Sequence, residues 1–274
     1  MRSTCVSTKP LWPAMSKLVQ KPMTNANETK VHVERPAPGV VVVTLDSPPM
    51  NALGAEALAM VISVFDNVES DLALRCMVLT GQGRAFCTGA DLKVASGVAA
   101  GAFGLMLDRV SSARIPVIAA VNGYCIGGGL ELALSCDIRL ASTKASFTAA
   151  GVNVGLMASA YSLPRLIGVA RAKSILLTGL PIDAIKAEQY GLVTGLCEQD
   201  ALLDTALRLA RRIAGRAPLS VEATKRVAGR APDLSPTDAG PFQSKELQVL
   251  SRSEDHREAL AAFREKREPI FHRR

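Results

Sequence analysis

Two glycine-rich loops are the segments of this sequence whose residue types and spacing could do chemistry. The first contains residues 88–92 (TGADL), and the second contains residues 127–129 (GGG), followed directly by a helix-like run. Glycine lets a backbone approach a ligand closely, and the N–H groups at a helix start have no partner within the helix. Two such donors from separate loops could hold an oxygen that gains negative charge, such as a thioester oxygen in an enolate. On spacing alone, tight turns that serve close packing are the favoured interpretation of both loops.

Glu131 is the acidic residue that could act beside these donors. It lies three residues after Gly128, so on a helix it would be one turn along and on the same side as the Gly128 N–H. Its neighbours Leu130 and Leu132 are apolar, and burying a carboxylate among them costs free energy unless it has a role or a partner. A general base and a glutamate that merely stabilises the first turn of a helix are both open interpretations.

Other kinds of site are disfavoured by the sequence. Residues 81–86 (GQGRAF) are not a dinucleotide-binding fingerprint, because Phe86 occupies the last glycine position. The three histidines are scattered and form no HExxH or Cys/His cluster, so no metal site is predicted. None of them lies near either loop, which disfavours a serine hydrolase. His32 alternates with valines and is predicted to be a solvent-facing strand residue.

Composition limits the class of protein. The chain has 274 residues, of which 48% are hydrophobic and 21% charged, which is enough for a real core and excludes wholesale disorder. The net charge of +7 favours an anionic partner, but only 4% of the residues are aromatic and the basic residues are spread along the chain. We therefore expect a phosphorylated small molecule as the partner and no nucleic acid.

No apolar stretch approaches 18 residues, so no membrane span is predicted. The six cysteines contain no CxxC pair and are predicted to be reduced, buried thiols.

Hydrophobic patterning predicts the elements that must position the loops. Leu58, Val61, Phe65 and Val68 recur at helical spacing, and short apolar runs alternate with helices up to about residue 158. This order predicts an α/β layered core over residues 30–210, with a helical C-terminal segment over residues 211–274 that includes a last helical region near 242–268. Residues 1–29 are basic, and a mobile tail is expected there. The expected location is cytoplasmic, or the mitochondrial matrix if that tail is a transit peptide.

Four segments together make the sequence resemble the enoyl-CoA hydratase/isomerase family, the crotonase superfamily. The similarity extends over residues 31–272. It rests on residues 45–53 (LDSPPMNAL), 79–92 (LTGQGRAFCTGADL), 119–133 (AAVNGYCIGGGLELA) and 262–271 (AFREKREPIF). The resemblance implies an α/β fold, namely a crotonase-like spiral of ββα units. It also implies a helical C-terminal segment that builds a homotrimer, often paired into a dimer of trimers.

The resemblance also implies a site. The family polarises an acyl-CoA thioester with two backbone N–H groups, which match Ala90 and Gly128, and Glu131 matches the first of two catalytic glutamates. No cofactor is implied beyond the coenzyme A that is part of the substrate, and no metal. For Asp91 a helix N-cap role is preferred to catalysis. The residues implied in binding the substrate and its coenzyme A are Met50, Ala52, Ala90, Asp91, Leu92, Tyr124 and Gly128, with Phe263 and Lys266 reaching in from a neighbouring subunit.

One departure from the family pattern bears on the reaction. The second glutamate of the hydratases falls at Gly151, and an acidic position of the dienoyl-CoA isomerases falls at Ser159. The leading hypothesis is an enzyme that adds water to a 2-enoyl-CoA with Glu131 as general base. The alternatives are an acyl-CoA double-bond isomerase or another reaction of the family, and a catalytically weak paralogue that binds acyl-CoA.

Overall fold

The computed structural model describes residues 29–91 and 98–274. Its strands, in chain order, are β1 (Lys30–Ala37), β2 (Val40–Asp46), β3 (Ala52–Leu53), β4 (Cys76–Gly81), β5 (Ala85–Cys87), β6 (Gly89–Ala90), β7 (Val117–Val121), β8 (Tyr124–Ile126), β9 (Ile138–Ser142), β10 (Ser146–Thr148), β11 (Ile182–Asp183) and β12 (Gly195–Cys197). The tail expected at residues 1–29 lies, except for Thr29, outside the described residues.

The helices alternate with strands in the first half of the chain and follow one another in the second half. In chain order they are α1 (Ala55–Ser70), α2 (Val98–Ser112), α3 (Gly128–Ser135), α4 (Ser162–Ile167), α5 (Val169–Leu176), α6 (Ala184–Gln189), α7 (Leu202–Ala214), α8 (Pro218–Arg230), α9 (Pro236–Leu250) and α10 (Glu254–Glu265). Within residues 29–91 and 98–274, none of the helices combines the length and the apolar composition that a membrane span requires.

The strands form a spiral of ββα units, as predicted. A large sheet has the order β1-β2-β4-β7-β9-β12, and a smaller one has the order β11-β10-β8-β5. The turns that begin at β2, β4, β7 and β9 each contribute a strand to the large sheet, then one or two short strands to the smaller sheets, then a helix, as in β7, β8 and α3. Strands of successive turns are parallel neighbours, for example β4 with β7 and β5 with β8. Loops at equivalent places in two successive turns are therefore brought side by side, and the two glycine loops occupy such places.

Both faces of the large sheet are covered. All six residues of β4 are buried, because one main cluster of apolar side chains fills the space toward α1, α2 and α3 while a second lies under α7. The predicted apolar face of α1 is confirmed, since the residues that recur at helical spacing are all buried, namely Leu58, Val61, Phe65 and Val68. The domain boundary expected between residues 210 and 211 falls within α7, whose Ala210 and Ala214 are both buried in the second cluster. The sheet-packed core therefore extends at least to Ala214.

Three further predictions concern the last helical region, His32 and the cysteines. The helical region expected over about 242–268 consists of two helices, because the Ser253 side chain accepts a hydrogen bond from the His256 N–H at 3.0 Å and begins α10. His32 lies on an exposed strand and contacts Asp46 at 2.9 Å, as predicted for a solvent-facing residue. Among the described residues the cysteines are free, and all but Cys197 are buried.

Buried charged groups hold the last residues of the chain against the core. The Glu222 side chain is 5% exposed and accepts hydrogen bonds from Arg114 at 2.6 Å and from Arg273 at 3.0 Å. Burial alone would raise the pKa of Glu222, but the hydrogen bonds from Arg273 and Arg114 outweigh burial, and the pKa lies below its usual value. Nearby, the Asp255 carboxylate accepts the main-chain N–H groups of His272 and Arg273.

Replacing Glu222 by glutamine is expected to lower the free energy of unfolding by about 3 kcal/mol, because Arg114 would become a buried charge without a carboxylate partner. Urea unfolding measures this loss. The control Glu246→Gln breaks the exposed pair with Arg226 and should cost less than about 1 kcal/mol. Because the folded-state pKa of Glu222 is lowered, its contribution is present above the unfolded pKa of about 4.3 and is lost as the pH falls through the folded pKa. A difference between wild type and variant that does not shrink below about pH 4 would contradict this explanation.

Candidate active site

The first glycine loop presents the Ala90 N–H away from the strand with which it pairs. β6 runs parallel to β3, with Gly89 opposite Ala52 and Ala90 opposite Leu53. The Asp91 N–H donates to the Leu53 carbonyl at 3.1 Å. Successive amides along a strand point to opposite edges. The Ala90 N–H is therefore directed to the free edge of β6, where a ligand could accept its hydrogen bond.

Two asparagine side chains hold the segments that lead into this loop. Asn51, which is 2% exposed, donates to the carbonyls of Ala85 at 2.7 Å and Gln82 at 3.0 Å. Asn122 accepts the Gly81 N–H at 3.2 Å and donates to the Gly83 carbonyl at 2.9 Å. Each amide thus satisfies buried backbone groups of a turn that would otherwise lack partners. Neither residue is among the site residues predicted from the sequence, although an Asn-Gly pair at the end of a buried strand is a recognisable turn signal.

The second loop ends in the first turn of α3. Gly127 has φ +55°, a left-handed conformation that favours glycine, and its N–H donates to the Thr148 carbonyl at 2.8 Å. Gly128 is the first residue of the helix. Its N–H has no acceptor within the helix for that reason, and the helix dipole adds partial positive charge there.

The two loops meet at these N–H groups. Gly89 has φ +88°, and a Cβ atom added to it would lie 2.7 Å from the Gly128 nitrogen. The Gly89 carbonyl carbon is bonded to the Ala90 nitrogen, so the Ala90 and Gly128 donors belong to backbones in direct contact. The Phe103 ring of α2 covers the same place, because a Cβ on Gly128 would lie 2.6 Å from Phe103 Cζ. The contact explains why glycine is needed at both positions, and it brings together two donors that are 38 residues apart in the chain.

Glu131 lies one turn further along α3 and is half-buried. Its Oε1 accepts the Ser159 N–H at 2.7 Å. Its Oε2 has no hydrogen-bond partner in the part of the chain that the structure describes. Ser159 is 6% exposed, has φ +59° and keeps its Oγ without a partner among the described residues. One carboxylate oxygen is therefore fixed by the backbone while the other can accept a proton.

The space around Gly151 has no room for a side chain. A Cβ on this residue would lie 2.7 Å from the Ala158 nitrogen and 3.0 Å from the Leu156 carbonyl oxygen. A side chain at residue 151 would therefore require the backbone of residues 156–158 to move. The missing second glutamate is thus accompanied by a local packing that leaves it no space.

Comparisons with known proteins identify the family of this chain. A protein-family model described as enoyl-CoA hydratase/isomerase matches residues 35–274. The chain belongs to the enoyl-CoA hydratase/isomerase family. It is 41% identical over 244 residues to an (E)-benzylidenesuccinyl-CoA hydratase of Thauera aromatica, covering 85% of this chain and 95% of that protein. It is 35% identical over 240 residues to a short-chain-enoyl-CoA hydratase of Clostridium acetobutylicum, covering 83% and 92%.

A solved structure gives the same result for the fold. The crystal structure of an enoyl-CoA hydratase from Bacillus anthracis matches with a TM-score of 0.87 and 30% identity, covering 89% of this chain and 99% of that one. The expectation of a crotonase-like α/β spiral is confirmed by this match together with the strand order described above.

The substrate-binding residues that the family resemblance implies lie in several places. Met50 and Ala52 lie beside the first glycine loop: the Met50 carbonyl accepts a hydrogen bond from Thr88 at 3.1 Å, and Ala52 pairs with Gly89. Tyr124 begins β8, three residues before Gly127, and is 38% exposed. Asp91 follows Ala90 directly. Leu92 lies outside the described residues.

Phe263 and Lys266 lie apart from this group. They are at the C-terminal end of α10, where Phe263 is 84% exposed and Lys266 ends the helix with φ +54°. Among the described residues, the hydrogen bonds of α10 reach only the chain that follows it and the turn before it, and none reaches the glycine loops. A role for these two residues in the site of their own chain therefore has no support from contacts, and their predicted role in a neighbouring subunit stays a prediction.

Proposed function

We propose that this protein is an enoyl-CoA hydratase-like lyase that adds water to a 2-enoyl-CoA thioester. The Ala90 and Gly128 N–H groups form an oxyanion hole, and Glu131 is the general base. The observation that carries the proposal is the contact between Gly89 and Gly128, with a backbone-anchored carboxylate one helical turn away. The names of the two hydratase relatives support the same class of reaction.

The proposed reaction needs one carboxylate. A water oxygen forms a bond to C3 while one water proton moves to Oε2 of Glu131, and the C2–C3 π electrons move to the thioester oxygen. That oxygen becomes an enolate, which the Ala90 and Gly128 N–H groups stabilise where its charge develops. The enolate then collapses, and C2 takes the proton from Glu131. The product contains the elements of one water molecule, and Glu131 ends ionised as it began.

The proposal is tested by the loss of the enoyl-thioester absorbance with crotonyl-CoA and with a longer 2-enoyl-CoA. Formation of a 3-hydroxyacyl-CoA by the wild-type protein is the expected result. Retained binding of acyl-CoA with no turnover of either substrate would favour instead a catalytically weak paralogue.

A double-bond isomerase is the second candidate, and the packing around Gly151 favours it specifically. A single carboxylate can move one proton between two carbons without activating water, and residue 151 offers no second acid. Mass analysis of the product separates the two reactions, because isomerisation leaves the mass of the acyl-CoA unchanged and hydration adds one water.

We propose that Met50, Ala52, Asp91 and Tyr124 line the path of the substrate and its coenzyme A; Leu92 lies outside the described residues. The phosphates of coenzyme A suit the net charge of +7. Coenzyme A enters as part of the substrate, and no separate cofactor is proposed. The proposed location is cytoplasmic, in keeping with the bacterial relatives named above. Those relatives give no support to the mitochondrial alternative.

We further propose a homotrimer, or a dimer of trimers, built by the C-terminal helices. The helix α9 has no buried residue within the chain, and Leu247 and Val249 on it are each 61% exposed. Large apolar side chains that their own chain leaves exposed are typical of a surface that another subunit covers. In that assembly Phe263 and Lys266 would approach the coenzyme A of a neighbouring subunit.

Analytical ultracentrifugation of the wild-type protein is expected to give three or six times the 28.9-kDa chain mass. The double variant Leu247→Asp/Val249→Asp should shift the distribution toward smaller species, because it buries charge in the proposed interface. A monomer at micromolar concentration of wild-type protein would contradict the assembly, and it would leave the roles of Phe263 and Lys266 without a basis.

A further inference from the structure

Two buried thiols contact the two backbones that meet at the candidate site. Cys87 Sγ accepts the Gly89 N–H at 3.3 Å, and Cys125 Sγ donates to the Gly129 carbonyl at 3.4 Å. Both cysteines are 0% exposed. One thiol therefore bonds the residue before the Ala90 donor, and the other bonds the residue after the Gly128 donor.

The two thiols are neighbours in the small sheet. Cys87 in β5 is the register partner of Cys125 in the parallel strand β8. Side chains opposite each other in adjacent parallel strands point to the same face of the sheet. The two cysteines therefore lie side by side in the small sheet, and each thiol forms a hydrogen bond with a different glycine loop.

The packing leaves this pair little freedom. A Cβ on Gly129 would lie 1.9 Å from the Cys87 carbonyl oxygen and 3.1 Å from Cys87 Cβ, so the first turn of α3 rests directly on Cys87. Burial raises the pKa of the Cys87 thiol to about 12 and that of Cys125 well above its usual value. Both groups are therefore neutral thiols in the folded protein.

We propose that the Cys87 and Cys125 thiols are positioning groups that fix the separation of the Ala90 and Gly128 N–H donors. This inference rests on the proposed function. Cys87 holds β6 in place through its hydrogen bond with the Gly89 N–H, and Cys125 holds the start of α3 in place through its hydrogen bond with the Gly129 carbonyl. A displacement of β6 or of the start of α3 weakens the hydrogen bonds to an oxygen that must contact both donors at once. Such hydrogen bonds stabilise the transition state more than they stabilise the bound substrate.

The test compares variants that remove a buried thiol, or replace it by a hydroxyl, at the site with a variant that removes a buried thiol elsewhere. Cys87→Ala and Cys125→Ala remove the bonds to the loops, whereas Cys87→Ser and Cys125→Ser keep a group that can accept or donate. Cys76→Ala is the matched control: Cys76 is also 0% exposed with its pKa raised to about 12, but it lies in the second cluster, under α7. The measurements are kcat and KM for hydration of crotonyl-CoA and the thermal midpoint of unfolding.

We expect the two alanine variants at the site to lose kcat by about 10- to 100-fold with KM within about threefold of the wild type. The two serine variants should recover most of this loss. Cys76→Ala should lose thermal stability to a similar extent and keep its kcat within about twofold, since a cavity in the second cluster, on the α7 side of the large sheet, does not move the donors.

The outcomes that overturn the inference are distinct. Either of two results contradicts it: Cys87→Ala and Cys125→Ala keep the wild-type kcat, or all three alanine variants lose kcat in proportion to their thermal midpoints. The second result would mean that the thiols serve packing alone. Wild-type protein that converts no enoyl-CoA would instead contradict the proposed function itself, and the inference would fall with it.

Discussion

Glu131→Gln is expected to lower kcat for hydration of a 2-enoyl-CoA by about 10²- to 10⁴-fold, the contribution that a positioned general base makes. Glutamine has nearly the same shape, and its amide oxygen can still accept the Ser159 N–H that now bonds Oε1. The geometry of the site is therefore retained, while the group that takes the water proton is lost. KM and the thermal midpoint should change little.

Glu188→Gln is the matched control for this variant. Glu188 lies exposed on the helix α6 and takes no part in the site, so its replacement removes one negative charge without touching the proposed base. Its kcat should equal that of the wild type. A Glu131→Gln protein with more than a third of wild-type kcat would show that Glu131 is not the base.

Gly89→Ala is expected to lower kcat by about 10²- to 10³-fold, the cost of losing one donor of an oxyanion hole. The new Cβ would lie 2.7 Å from the Gly128 nitrogen, and that backbone atom cannot move aside as a flexible side chain would. The backbones of β6 and of the start of α3 must then move apart, and an oxygen can no longer contact both the Ala90 and the Gly128 N–H groups. Steady-state kinetics with crotonyl-CoA measures the loss.

Gly83→Ala separates this effect from backbone strain. Gly83 also has a left-handed conformation, with φ +72°, but a Cβ there would contact nothing within 4 Å. Alanine at either position carries a similar conformational cost. Gly83→Ala should therefore lose stability and keep kcat. Equal kcat values for the two variants, whether both high or both low, would argue against the contact between the loops as the basis of catalysis.

The elements and the loops could be predicted from local sequence because each depends on nearby residues. The apolar positions of α1 recur at helical spacing, and all six residues of β4 are buried in a short apolar run. The three glycines at 127–129 likewise mark the turn into α3 by their local sequence alone. Resemblance to the family then supplied the order of the spiral, which no local pattern contains.

The contacts that complete the site could not be predicted in this way. The Ser159 N–H that anchors Glu131 lies 28 residues further along the chain, and its φ of +59° is unusual for serine. The closed space at Gly151 depends on the path of residues 156–158, which the identity of a single glycine does not specify. The domain boundary expected between residues 210 and 211 stays a prediction; it lies within α7, a continuous helix whose sequence shows only an amphipathic pattern.

The absence of a second acid at Gly151 gives the proposed mechanism its distinctive feature. A single carboxylate must take a proton from water and return it to C2, so one residue carries both proton transfers. Because Oε1 is held by a backbone N–H, the proton can be exchanged only at Oε2 without disturbing that bond. The same geometry would serve an isomerase, and for this reason the fate of water is the informative observable.

Mass spectrometry of the product formed from crotonyl-CoA in ¹⁸O-labelled water shows whether this protein adds water to the double bond. We expect a 3-hydroxyacyl-CoA that carries one labelled oxygen at C3, formed by the wild-type and Glu188→Gln proteins and lost with Glu131→Gln. Unlabelled product of unchanged mass with a shifted double bond, or no product from a protein that binds acyl-CoA, would contradict hydration as the function of this chain.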